Sequence, residues 1–165
     1  MEQSGPVQPS AVESPRGAHE VSVDSKGRLK LPSTFKGYFE TVQEKSFFVT
    51  TIDGKLLYVY PLSVWRQNEA LLESMTGSQE EMIAAESILG IANHYGADAT
   101  IDGEGRMLVP QDLRKELGLN DSKVWLKFEK GKIVGYSALE YKKMLDAALE
   151  GIGSKLQAVK LKGLR

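Results

Sequence analysis

Apolar and polar positions alternate in "EVSVDSKGRLKLP" (20–32), with Val21 and Val23 before a short polar break and Leu29 and Leu31 after it. Period-two alternation around a break containing glycine predicts strand, turn, strand. Pro32 ends the second strand, and Ser33 or Thr34 is placed to cap a short helix over "FKGYFE". Two β-rich runs follow, "SFFVTTI" and "KLLYVYP", joined by Asp53-Gly54, a strong hairpin dipeptide. Beyond them, "SVWRQNEALLESM" and "EEMIAAESILGIAN" space their apolar residues as helices do.

The pattern then starts again. "IDGEGRMLVP" (101–110) repeats "VDSKGRLKLP" (23–32), with Asp24 on Asp102, Gly27 on Gly105, Arg28 on Arg106 and Pro32 on Pro110 at one offset. Apolar positions keep step: Val23 with Ile101, Leu29 with Met107, Leu31 with Val109, Phe35 with Leu113, Phe39 with Leu117. After one-residue gaps, "TTIDGKLLYVYPLSVW" answers "KFEKGKIVGYSALEY", setting Gly54 on Gly131 and Trp65 on Tyr141. The second copy therefore reads as strand, turn, strand, a helix in "PQDLRKELGL" with Gly118 as C-cap, a hairpin at Lys130-Gly131, and a last helix over "ALEYKKMLDAALEGI".

We divide the chain into an N-terminal extension (1–17), a first unit (18–66), a helical connector (67–95), a second unit (96–142) and a C-terminal helix end with a basic tail (143–165). The extension is rich in Pro, Ser and Gln and is expected to be disordered. The tail, "GSKLQAVKLKGLR", is expected to be mobile. A unit of about 45 residues buries too little surface to fold alone without staples. Two copies can pair about a pseudo-two-fold axis, sharing one α+β barrel or sandwich with short helices over its ends. Trp65 and Tyr141 then serve as core anchors.

Composition narrows the chemistry. The chain has 165 residues and no cysteine, which excludes disulfides, thiolate metal sites and thiol catalysis. No run of about 18 apolar residues suggests a membrane span, and the N-terminus has no apolar core of a secretory signal, so a cytoplasmic location is expected. No nucleophile–base pair, P-loop or dinucleotide fingerprint is present, so neither an enzyme nor a cofactor is expected. His19 and His94 lack an acidic ligand set, and "DGEG" lacks the ligand ladder of a calcium loop; no metal is expected. The net charge is −1, but it is unevenly spread. Residues 61–96 hold one Lys/Arg against five Asp/Glu, whereas the tail after Gly151 holds four against none. A nucleic-acid face would therefore have to come from geometry and repetition rather than bulk charge.

The doubled Asp-x-x-Gly-Arg motif, with "RGAHEVSVDSKGRLKLP", "YPLSVW" and "YGADATIDGEGRMLVPQDLR", resembles the MraZ family of bacterial transcription regulators with two SpoVT–AbrB-type domains. The resemblance covers about residues 16–145. It implies a duplicated swapped-hairpin β-barrel and chains assembled into a homo-oligomeric ring. It also implies binding to double-stranded DNA at short direct repeats, repression of the protein's own division and cell-wall gene cluster, and association with the nucleoid. The sequence departs from the family in its longer N-terminus, in the absence of arginines from "LGIANHYGA", and in Gly135, where an apolar side chain is usual and a looser hairpin is expected.

Arg28 and Arg106 are the principal candidate DNA contacts, reaching phosphates or guanine edges from the turns. Asp24 and Asp102 are read as structural, each able to bridge to its arginine, since a carboxylate facing phosphate is repelled. Gly27 and Gly105 are read as turn residues at positive φ. Lys26 and Lys30 are assigned to the DNA backbone, as is Arg16. The second copy has Glu104 and Leu108 where the first has the lysines, so the first is expected to grip more strongly. The alternative reading is an AbrB-type antitoxin or protein-interaction module.

Overall fold

The computed structural model describes residues 12–165; of the extension expected to be disordered (1–17), residues 1–11 lie outside them, and in the rest Val12 packs against the core and Arg16 pairs with Glu13. The fold is α+β. In chain order the elements are β1 (Ala18–Ser22), β2 (Arg28–Lys30), α1 (Ser33–Thr41), β3 (Phe47–Thr50), β4 (Leu57–Pro61), α2 (Leu62–Glu73), α3 (Gln79–Tyr95), β5 (Ala97–Ala99), β6 (Arg106–Leu108), α4 (Gln111–Leu117), β7 (Lys123–Glu129), β8 (Lys132–Ser137), α5 (Ala138–Leu149) and α6 (Ile152–Lys160).

Six strands form one antiparallel sheet in the order β1-β7-β8-β4-β3-β5, and β2 and β6 form a separate two-stranded ribbon. The expected closed barrel is therefore an open sheet with edges at β1 and β5, accompanied by a ribbon. The ribbon is tied in by backbone bonds at its ends and by a bridge between Val23 and Leu29. Each copy lends its first strand to the other: β1 lies on β7, and β5 lies on β3. Exchanging the copies converts the pairing of Glu20 with Trp125 into that of Asp98 with Phe48. It likewise turns Leu57 opposite Gly135 into Ile133 opposite Val59, so Tyr58 and Val134 sit at the centre of the relation.

Alternation decides which residues each layer receives. Leu57 and Val59 of β4 enter a core shared with Leu29, Phe35, Phe39, Phe47, Met107 and Leu113, contributed by both copies. Burying a side chain of this size contributes roughly 1.5–3 kcal/mol. Tyr58 and Tyr60 point to the other face, where Phe48, Trp65 and Ala92 form a second cluster. All five residues of β4 are buried, because this central strand is covered on both faces. In that cluster Phe48 stacks on Trp65 at 4.8 Å, and Trp125 stacks on Tyr141 at 4.6 Å in the corresponding place.

Several local expectations change. Pro32 itself stands at the N-cap of α1, with no side-chain cap from Ser33 or Thr34, because the helix already includes both. Its fixed φ suits a helix start, and Pro110 does the same for α4. The Asp53-Gly54 turn is a longer loop between Thr50 and Leu57, closed by the Asp53 carboxylate, which accepts from the amides of Lys55 and Leu56 and from the Tyr58 hydroxyl. The Lys130-Gly131 turn is the tight one, with positive φ at both residues. Gly135 does not loosen the second hairpin: Leu57 fills the space, and a β-carbon there would stand 3.0 Å from Leu57 Cβ. The last helix stops at Leu149, and the segment read as a mobile tail forms α6 after a left-handed Gly151.

Candidate nucleic-acid interface

Each Asp-x-x-Gly-Arg turn is built by its aspartate. Asp24 Oδ1 accepts from the amides of Lys26 and Arg28 at 3.0 and 2.9 Å, and Oδ2 accepts from Arg28 Nε at 2.8 Å. Asp102 repeats this on Glu104 and Arg106, with the Nε bond at 3.0 Å. The backbone bond from Arg28, opposed by partial desolvation and aided by the guanidinium, holds the Asp24 carboxyl below the usual carboxylate range. Asp102 is lowered in the same way, first by the amide of Arg106. Both stay ionised at neutral pH and fix their arginines through Nε. Gly27 and Gly105 take φ values of 82° and 78°, which the close of each turn requires.

The turns are latched together across the ribbon. Leu31 donates its amide to the carbonyl of Gly105, and Val109 donates to that of Gly27, both at 2.9 Å. Between them β2 and β6 pair as Arg28 opposite Leu108, Leu29 opposite Met107 and Lys30 opposite Arg106. Leu29 and Met107 point inward and are buried. Strand alternation therefore turns Arg28, Lys30, Arg106 and Leu108 to the outer face. Leu108 is 56% exposed there.

The tertiary structure adds two cations that reading by sequence missed. Arg114 of α4 lies on Gly27 of the first turn, with Nε donating to the Val109 carbonyl at 3.1 Å. Lys36 of α1 approaches Gly105 of the second turn. Lys36 and Arg114 stand at the duplication's own offset, the one signal that would have paired them. The two turns are unequal: Arg106 Nη1 also meets Glu104 Oε2 at 3.3 Å, whereas Arg28 has no second carboxylate among its salt bridges with described residues.

Of the sequence candidates, Lys26, Arg28, Lys30 and Arg106 are gathered on the ribbon and its turns. Arg16 is not; it lies beyond the opposite end of β1 and pairs with Glu13 at 2.8 Å. His19 lies edge-on to Phe35, His94 edge-on to Tyr95, and no group of three or more candidate metal ligands occurs among the described residues. No helix among the described residues is long and apolar enough to cross a membrane. Anchored through Nε, Arg28 keeps both Nη groups for a bidentate acceptor, the geometry suited to phosphate oxygens or a guanine edge, whereas Arg106 shares Nη1 with Glu104.

The model of the family described as "MraZ protein, putative antitoxin-like" matches residues 15–85. The chain is similar to proteins named "Transcriptional regulator MraZ". That of Tolumonas auensis is 31% identical over 140 residues, covering 83% of this chain and 88% of the relative. That of Nitrosospira multiformis is 32% identical over 145 residues, covering 82% and 97%. That of Acidobacterium capsulatum reaches 39% over 100 residues, and the match spans 66% of that protein's length. Identity sustained along most of two relatives as well as most of this chain shows common descent: the chain belongs to the MraZ family.

Proposed function

We propose that this chain is a non-enzymatic, sequence-specific DNA-binding transcriptional regulator, a repressor, that lays the β2–β6 ribbon in a major groove. The observation that carries the reading is the paired ribbon, whose outer face presents Arg28, Lys30, Arg106 and Leu108 around an approximate two-fold relation. A major groove about 12 Å wide admits a two-stranded ribbon. That the relatives are named transcriptional regulators supports the same reading.

Arg28 and Arg106 are the base-edge or phosphate contacts, oriented by Asp24 and Asp102. Lys26 and Lys30 hold the DNA backbone, and Lys36 and Arg114 add charge beside the turns. Leu108 offers an apolar contact suited to a thymine methyl group. Arg16 is left for a phosphate outside the ribbon's footprint. The strand exchange between copies is the SpoVT–AbrB swapped hairpin contained in one chain. Copies of the chain form a ring-like homo-oligomer on short direct repeats in the promoter of its own division and cell-wall gene cluster, in the cytoplasm and on the nucleoid. Repetition compensates for the modest charge of a single ribbon.

Binding to the gene's own upstream duplex and to a scrambled duplex, over a range of salt concentrations, tests this. Arg28→Ala and Arg106→Ala should each weaken specific binding roughly ten- to hundredfold, the first more than the second. Wild-type affinity in both variants would make the turn arginines structural. Equal affinity for both duplexes would overturn sequence-specific repression. The words "antitoxin-like" in the family's description favour a second reading, which a stoichiometric toxin partner in a pull-down would establish.

A further inference from the structure

The two turns of the ribbon carry opposite net charge. Asp24, Lys26 and Arg28 leave the first net positive, whereas Asp102, Glu104 and Arg106 leave the second net negative. The turn itself holds Glu104 in place: its amide donates to Asp102 Oδ1 at 2.9 Å, as that of Lys26 donates to Asp24 Oδ1 at 3.0 Å. The Glu104 side chain is 72% exposed and reaches Arg106 Nη1 at 3.3 Å. Asp102 holds Nε of the same guanidinium at 3.0 Å, which leaves Nη2 of Arg106 clear of both carboxylates.

A carboxylate at this place is repelled by phosphate. The first turn, with Lys26 in the related position, suits the DNA backbone, and the second does not. On the floor of a major groove a carboxylate does have partners, the amino groups of cytosine and adenine. The adenine amino group lies between two acceptors, its own N7 and O4 of the paired thymine, and both repel a carboxylate. The cytosine amino group has an acceptor, guanine O6, on one side only.

We propose that Glu104 is the specificity-determining residue of the second turn, accepting from the N4 amino group of a cytosine next to the acceptor that Arg106 takes. This rests on the ribbon lying in a major groove, as in the proposed function, and deepens it by making the two halves unlike. With Asp24 occupied in its own turn, the first half offers donors alone and seeks acceptors. The second offers a donor and an acceptor side by side. Such a ribbon reads its site in one orientation, although its backbone is nearly symmetric.

Selection of duplexes from a randomised pool by the full chain, followed by binding to single-base-pair variants of the selected sequence, tests it. The wild type should enrich cytosine at one position, and thymine there should weaken binding roughly five- to hundredfold. Glu104→Ala should lose that preference and keep the enriched guanines. Glu104→Lys, which sets the first copy's residue in the second turn, should turn the position against cytosine. Lys26 already occupies such a turn and Glu104 is exposed, so both variants should keep the wild-type circular dichroism. A wild-type profile without that cytosine, or a cytosine preference kept in either variant, would overturn the proposal. So would a rise in affinity for all duplexes alike with the base profile unchanged, because Glu104 would then act only by repelling phosphates. A wild type that enriches no sequence removes the sequence-specific reading and this proposal with it, whereas a profile that Glu104→Ala leaves intact removes this proposal alone.

Discussion

Arg114 lies across Gly27 so closely that a β-carbon on the glycine would stand 2.4 Å from the guanidinium carbon, although the two residues come from different copies of the duplicated unit. At the related position, Lys36 leaves 3.4 Å beside Gly105. Both glycines have positive φ, so alanine at either costs about 1–2 kcal/mol in backbone strain. Gly27→Ala must also displace Arg114 from the Val109 carbonyl. It should therefore be the more destabilising of the two in urea denaturation, and Arg114→Ala should narrow the difference.

The Asp24 and Asp102 carboxyls have folded pKa values depressed below the ordinary value. A depressed acid contributes stability that is present above its unfolded pKa and is lost as pH falls through the folded one. The turns should therefore hold through neutral and mildly acidic pH and loosen only below the usual carboxylate range. Amide exchange at Lys26, Arg28, Glu104 and Arg106 should report this. Asp24→Asn should remove the acid dependence at the first turn alone.

Gly135 faces Leu57 at 3.0 Å and Leu126 at 3.3 Å, measured from the β-carbon it lacks. Gly135→Val would restore the apolar side chain expected at a strand position. Here it overpacks the shared core and should lower unfolding free energy by about 1–3 kcal/mol. Pairing it with Leu57→Ala should recover part of that loss. An unchanged denaturation midpoint in the single variant would mean that the hairpin has room after all.

Burial, with a smaller effect of Asp53, pushes the Tyr60 phenol up to about 12. Tyr58 is raised too, first by burial and then by its hydrogen bond to Asp53. An acid whose folded pKa is raised contributes stability below its unfolded pKa, and loses it as pH rises toward the folded value. Alkaline destabilisation should begin above about 10, where an unfolded tyrosine ionises. The share due to Tyr60 should be largely spent by about 12. Tyr60→Phe removes that ionisation, so the alkaline unfolding midpoint, followed by circular dichroism, should move upward in this variant. A midpoint unchanged from wild type would show that the Tyr60 hydroxyl carries none of the alkaline sensitivity.

What the sequence alone determined is local and repetitive. The duplication, the strand–turn–strand pattern, the positive-φ glycines and the Asp–Arg bridge within each turn were all legible, because each depends on residues at most a few positions apart or on direct repetition. The order of motifs was enough to require that the copies pair, since neither can bury a core alone.

Only the tertiary structure decided how they pair. The exchange of β1 and β5, the separation of β2 and β6 into a ribbon, the seat of Arg114 on Gly27 and the filling of the Gly135 gap by Leu57 all join residues from different copies. Such contacts depend on the register of distant segments, which local periodicity does not encode. Arg16 stands apart from the turns for a related reason: the whole of β1 separates it from the ribbon. The outer face of the ribbon is thus a product of two half-sites that sequence could name one at a time and only folding could join.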